Sequence, residues 1–240
     1  LAKHLVVGLG EVGAALRTVL DCDGHDPAKD IFAGDGPYAF LHICFPHQDT
    51  PHKKSFNDFT RGYIARFKPT YTVVHSTVPV GTCAALGICH SPIRGKHPRL
   101  AESIKTFKKF VGGPGAQAVA EEFQKYGIEA VAWPSSSDCE AQKLWDLAQF
   151  YWSIMIMREI HEYCDAHGLD FDHVYTAGNQ AYNDGYAAMD HSEFIRPILK
   201  FQPGPIGGHC VKQNVPLLEG RIVEILKQHE EQFSKQEMVR

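Results

Sequence analysis

His4-Leu-Val-Val-Gly8-Leu-Gly10-Glu11-Val12-Gly13 decides how this chain folds. A short, mostly apolar run ends at Gly8, and Val12, Ala15, Leu16 and Val19 then recur at helical spacing as far as Leu20. Strand, glycine turn and helix together are the context in which the pattern G-x-G-x-x-G has mechanical meaning. The first glycine permits the turn, the second lets a pyrophosphate reach the backbone, and the third packs helix against strand. The helix start also turns unpaired N–H groups toward a phosphate. Gly8, Gly10, Glu11, Val12 and Gly13 are therefore candidate dinucleotide contacts.

An acidic residue some twenty positions after the first glycine would accept the ribose hydroxyls. Asp26 stands there, with Asp21 and Asp23 as alternatives in the same segment. A carboxylate at that point repels the extra phosphate of NADP, so NAD is the expected cofactor. Little chain lies between the first helix and the next clear strand, which predicts an abbreviated second strand and helix.

Working outward, Phe40–Phe45 reads as a buried strand closed by Pro46. A helix capped by Ser55 follows, with Phe56, Phe59, Tyr63 and Phe67 on one face. Tyr71–His75 is another strand and runs into Ser76-Thr77-Val-Pro-Val-Gly-Thr82. Ligands of such sheets sit beyond the carboxyl ends of strands, which adds Phe45, Pro46, Ser76 and Thr77 to the candidate cofactor contacts. The alternative for Ser76-Thr77 is a simple capped turn. Ile88–His90 predicts a short strand, and the loop Ser91–Arg99 carries Arg94 and Lys96, candidate contacts for an anionic substrate or merely solvated charges. Phe110–Gly113, a helix marked by Ala116, Val119, Ala120 and Phe123, and a strand at Glu129–Ala132 complete an alternating domain over residues 1–135.

Residues 136–240 read as helical. Ser135–Asp138 supplies caps, and the pattern then stays helical over 140–166, a span of ~39 Å at 1.5 Å per residue. Such a helix bridges domains or packs against a second subunit, so the expectation is a homodimer through it. A second helix is predicted over 172–183, and a last one over 217–240 with Ile222, Ile225 and Leu226 on one side. The fold class is thus α/β: a Rossmann-like, mostly parallel sheet followed by an all-helical domain with a long connecting helix.

Composition narrows the function classes. A net charge of −4 gives no basic field for nucleic acid, and no apolar run is long enough to span a membrane. Seven cysteines, an odd set without a C-x-x-C pair, fit free thiols in a reducing cytoplasm. Among fourteen histidines, His161-Glu162 with His167 has the wrong spacing for a zinc motif, so no metal is expected. Most of the histidines read as surface or hydrogen-bonding groups.

Pro203-Gly-Pro-Ile-Gly207-Gly208-His209-Cys210-Val-Lys-Gln-Asn214 is the second unusual stretch. Glycine and proline set an irregular backbone in front of a single thiol, and two adjacent glycines let another molecule approach closely. That is how a nucleophile is presented to a substrate, with Gly207, Gly208 and His209 beside it. A buried structural cysteine after a glycine turn is the other reading.

In order and spacing these phrases resemble the UDP-glucose/GDP-mannose dehydrogenase family of the 6-phosphogluconate-dehydrogenase-like group. The resemblance rests on Gly8–Gly13, the strand ending at Pro46, His75–Thr82, Glu140-Ala-Gln-Lys143-Leu-Trp and Pro203–Cys210. It implies an NAD-dependent dehydrogenase in which Cys210 captures an aldehyde as a thiohemiacetal between two hydride transfers from a primary alcohol. Lys143 would steady the oxyanion, Thr77 would orient water or hydroxyl, and Asn214 stands where the family has an aspartate. Leu147 replaces the family's asparagine, and the expected form lacks the C-terminal nucleotide-binding domain. The functional expectation is oxidation of a sugar-like or anionic small alcohol. The alternative is a catalytically degenerate dinucleotide-binding or assembly protein of the same fold.

Overall fold

The computed structural model describes residues 2–47, 55–203 and 213–237. It divides into two compact units, Leu1–Leu144 and Trp145–Arg240.

The first unit is a seven-stranded sheet. Its strands are β1 (His4–Val7), β2 (Asp23–His25), β3 (Phe40–Ile43), β4 (Tyr71–Val74), β5 (Cys89–His90), β6 (Lys109–Gly112) and β7 (Ala130–Trp133). Their spatial order is β2-β1-β3-β4-β5-β6-β7. All neighbours run parallel except β5 and β6, which meet antiparallel at His90 and Gly112. The sequence expectation of a mostly parallel sheet therefore holds, and the second strand is indeed short, followed by a 3₁₀ turn at Pro27–Lys29.

Helices cover both faces: α1 (Glu11–Leu20), α2 (Phe56–Phe67), α3 (Thr82–Leu86), α4 (Leu100–Thr106) and α5 (Ala116–Gln124). Period-two alternation sorts the strand residues between two cores. Val6, Phe40 and Val73 join Leu16, Leu20, Leu100, Ile104 and Phe123 of α1, α4 and α5. Leu5, Val7, Leu41, Ile43 and Val74 join Phe56 and Phe67 of α2 and Cys83 of α3. A sheet covered twice has no solvent face, which is why β1 and β3 are apolar apart from His4 and His42, themselves buried. Ser55 and Asp58 close a reciprocal capping box at the start of α2, so the predicted cap is real.

The chain leaves β1 toward β2 on one side and returns to β3 on the other. Such a reversal opens a crevice beyond the carboxyl ends of the strands. Gly8, Phe45 and Ser76 all stand there, one or two residues past β1, β3 and β4.

Helix α6 runs from Ser136 to His167, 32 residues and ~48 Å long. It starts four residues before the predicted helix and ends at Gly168, whose φ of +65° takes the left-handed turn that glycine favours. The second unit, among its described residues, is helical. A π-helical turn at Asp172–Ala177 leads into α7 (Gly178–Ala188), so this helix extends past its predicted end. Asn183 fixes the chain after α7 by donating to the Arg196 carbonyl and accepting from the Arg196 N–H, both at 2.9 Å. Helix α8 (Arg221–Glu237) buries Val223 and Leu226, whereas Ile222 and Ile225 are exposed. Of the predicted apolar side Leu226 is therefore buried, while Ile222 and Ile225 are not and Val223 takes their place.

A Cβ on Gly13 would lie 1.9 Å from the Gly8 carbonyl oxygen, whereas one on Gly10 would meet nothing within 4 Å. Gly13→Ala is therefore expected to lower stability by about 3 kcal/mol through overpacking, and Gly10→Ala to change it little. Denaturant titration of the two variants checks this, and equal stabilities would contradict the packing.

Candidate active site

Three carboxyl-edge turns converge through short contacts. Gly8 has φ +85°, donates its N–H to the His25 carbonyl at 2.9 Å, and leaves no room for a Cβ, which would sit 2.7 Å from the Phe45 nitrogen. Phe45 in turn accepts 2.6 Å from Ser76 Oγ, and its ring packs on Phe56 and Tyr63. Gly8, Phe45 and Ser76 are thereby brought together as the sequence predicts for the crevice. Thr77 is half-buried next to Ser76, and Pro46 is exposed.

Helix α1 begins at this crevice. Gly10 is its N-cap and has no side chain to satisfy the first N–H groups, which include those of Glu11 and Val12. Asp26 lies beside the turn: one carboxylate oxygen accepts from the Leu9 N–H at 2.8 Å and the other from the Ala28 N–H at 3.2 Å. It therefore braces the glycine turn itself, and spare lone pairs on a half-buried carboxylate remain for a ribose. Lys29 Nζ donates to the Leu9 carbonyl at 2.6 Å and holds the same turn from the other side. The bracing role of Asp26 and Lys29 is invisible to a spacing rule.

The cationic loop also meets this turn. His97 Nδ1 is 2.7 Å from the Glu11 carboxylate, which ties Ser91–Arg99 to the first turn of α1. Arg94 lies half-buried over the Phe110 ring, while Lys96 is exposed and its backbone N–H reaches Ser103 Oγ. The loop is thus anchored at several points rather than merely solvated.

Behind the loop, three consecutive carbonyls are held by side-chain N–H groups. Ser91 accepts from His75 Nδ1 at 2.6 Å and Lys109 Nζ at 2.8 Å, Pro92 from Lys109 Nζ at 3.0 Å, and Ile93 from Lys143 Nζ at 3.1 Å. Lys109 is buried, and burial pulls its amine down to about 7, with Lys143 and Arg94 adding to the effect. No sequence pattern singled out Lys109; a lysine flanked by the strand residues Phe110 and Val111 was the only signal. His90 is also buried and donates from Nε2 to the Ser76 carbonyl at 3.1 Å. Burial lowers His90 to about 4, so it stays neutral. Of the histidines, His4, His25, His42, His75 and His90 are core residues, and each makes a side-chain hydrogen bond.

Glu140 completes the frame. It is fully buried at the start of α6, and its two oxygens accept from the Gly81 and Cys83 N–H groups at 2.6 and 2.7 Å. The carboxylate thus caps the turn that follows Ser76-Thr77 and sets where that turn stands relative to Lys143. Leu147 is buried and Asn214 half-buried, both in the second unit. Gly207, Gly208, His209 and Cys210 lie outside the described residues. Among the described residues no group of three or more histidine, cysteine or acidic side chains could hold a metal ion, and no helix is long and apolar enough to cross a membrane.

No family model and no curated protein matches this chain. Solved structures do match its fold. The UDP-D-ManNAc dehydrogenase of Pyrococcus horikoshii superposes with a TM-score of 0.75 at 14% identity, over 96% of this chain and 69% of that one. The 3-hydroxyisobutyrate dehydrogenase of Mycobacterium tuberculosis, solved with L-serine, gives 0.72 at 14% identity, over 98% and 94%. A reductive aminase of Aspergillus terreus, in complex with NADPH, gives 0.52 at 14% identity, over 78% and 75%. At such identities the likeness is one of fold.

Removing the Glu140 carboxylate would leave the buried Cys83 N–H and the part-buried Gly81 N–H without an acceptor. Glu140→Ala is expected to cost about 3 kcal/mol, at about 1–3 kcal/mol for each orphaned group. Thermal and denaturant unfolding measure it; a loss below about 1 kcal/mol would mean that water replaces the carboxylate.

Proposed function

We propose that this chain is an NAD-dependent oxidoreductase that oxidises the primary alcohol of a sugar-like or anionic small molecule. Gly10 carries the reading. Gly8 and Gly13 are glycine because the protein's own backbone leaves no room, but at Gly10 there is open space and an ordinary φ of −64°. The missing side chain there serves something outside the chain, and a pyrophosphate against the α1 N-terminus supplies the reason. Asp26 beside it favours NAD over NADP by charge. The names of the two best-described structural neighbours, both dehydrogenases, agree with the reaction class.

Bound nicotinamide would supply the hydride acceptor. This chain's residues then account for the rest. As hydride leaves the carbinol carbon, the hydroxyl proton must pass to a base and the oxygen gains negative charge. Lys143, held against the Ile93 carbonyl, provides a cation for that oxygen, and Thr77 orients the hydroxyl. Arg94 and Lys96 give an anionic substrate its counter-charges, on a loop anchored through His97 and Glu11. Cys210 belongs to the finer part of the proposal. Its thiolate adds to the aldehyde carbon to form a thiohemiacetal. After NADH is exchanged for a second NAD, a second hydride passes to that NAD and the hydroxyl proton to solvent, giving the thioester, and water releases the acid and the thiol.

NADH fluorescence titration tests the cofactor. Gly10→Val is expected to weaken binding at least tenfold while leaving the unfolding midpoint nearly unchanged, and equal affinity would remove the assignment. Alkylation tests the thiol. Iodoacetamide at neutral pH is expected to label Cys210 ahead of Cys44, whose thiol burial pushes up to about 12, and ahead of the buried Cys164. Labelling of Cys210 no faster than these two would make it a structural cysteine.

A further inference from the structure

A file of three buried imidazoles crosses the face of the sheet covered by α1 and α5. His4 on β1, His42 on β3 and His75 just past β4 are 2%, 0% and 3% exposed. Glu122 Oε1 on α5 lies 3.2 Å from His4 Nε2, and His4 Nδ1 lies 3.0 Å from His42 Nε2. His42 Nδ1 is 3.0 Å from His75 Nε2, and His75 Nδ1 is 2.6 Å from the Ser91 carbonyl oxygen. Four contacts therefore join three rings between two oxygen ends. Each contact needs one hydrogen, carried by one of its two atoms. A carbonyl can only accept, and so can an ionised carboxylate. Three neutral imidazoles bring three hydrogens. The file is one hydrogen short.

We propose that the sheet binds one additional proton in this file, held between Glu122 Oε1 and His4 Nε2. The Ser91 carbonyl sets the direction of every hydrogen bond. His75 must donate to it from Nδ1, so His75 Nε2 accepts from His42 Nδ1, and His42 Nε2 accepts from His4 Nδ1. All three rings are Nδ1–H tautomers, and the deficit falls on His4 Nε2 opposite Glu122. A proton there gives an imidazolium facing a carboxylate or an imidazole facing a carboxylic acid. In either state each of the four contacts carries a hydrogen, and the exposed Lys125 ammonium shares the Glu122 carboxyl.

The groups around the file oppose charge most strongly at His42 and His75. Burial holds His42 and His75 well below the usual imidazole range, and Lys109 from β6 opposes charge on both. His4 adds to this at His42, and His90 from β5 at His75. At the other end burial, the largest effect, lowers the His4 imidazole against the hydrogen bond and charge of Glu122. Glu122, although burial raises it, is lowered on balance by its hydrogen bonds with Lys125 and His4, so the hydrogen count rather than these directions carries the proposal. Lys125 donates to Glu122 Oε2 at 2.6 Å, and Tyr126 meets the His4 ring edge-on. Phe40 stacks on His4, while Phe123 packs on His42 and His75. Without the proton, two lone pairs face each other at one of the four contacts. The proposal does not depend on the proposed reaction.

Proton-detected nitrogen NMR on histidine-labelled protein at pH 7.5 reads the count directly. The expected result is three Nδ1–H rings plus one more hydrogen, seen either as a protonated His4 Nε2 or as a Glu122 carboxyl carbon at its protonated shift. Three singly protonated rings with an ionised Glu122 would overturn the proposal. Glu122→Gln supplies the fourth hydrogen from its amide, so this variant is expected to show three neutral Nδ1–H rings and no shared proton. An imidazolium signal unchanged in the variant would refute the placement. If the variant does not fold, the count in the unmodified protein decides alone.

Discussion

Helix α1 can reach the sheet only because Gly13 has no side chain. Its Cα rests so near the Gly8 carbonyl that a methyl group would overlap it, and Gly8 in turn lies against the backbone at Phe45. This one close approach fixes the angle at which the helix leaves β1, and with it the direction in which the first N–H groups of α1 point. Asp26 and Lys29 then clamp the turn through the Leu9 amide and carbonyl. Steric exclusion sets the geometry, and two charged side chains keep it from relaxing.

The far side of the crevice is built by a different means. The carbonyls of Ser91, Pro92 and Ile93 are drawn inward by His75, Lys109 and Lys143, while Glu140 draws in the amides of Gly81 and Cys83. Buried polar groups of this sort are costly unless each finds a partner, and here backbone and side chains satisfy one another. Lys109 is the clearest case: burial lowers its basicity, Lys143 and Arg94 add to the effect, and the Ser91 and Pro92 carbonyls accept from its amine. Such a frame exchanges stability for position, which is the usual arrangement where a protein must hold a second molecule.

Much of this was legible in the sequence where local geometry dictates residue type. The glycines, the Ser55 cap, the mainly apolar strands and the long helix all follow from rules that act within a few residues. The bracing of Asp26, the burial of Lys109 and the histidine file were not legible, because each is decided by strand order. His4, His42 and His75 stand more than thirty residues apart and meet only because β1, β3 and β4 are neighbours in the sheet. The apolar side of α8 was legible only in part for a similar reason, since Leu226 is buried as expected but packing chose Val223 over Ile222 and Ile225. The Gly207–Cys210 segment remains a reading of the sequence.

If the glycine turn exists to receive a dinucleotide, contact must be felt first by the backbone that surrounds Gly10. Amide NMR during titration with NAD measures that directly. The largest shifts are predicted at Gly10, Glu11, Val12 and Gly13, with smaller ones at Leu9 and Ala28, where Asp26 would rearrange. Saturable binding that leaves these amides in place and moves others would contradict the account.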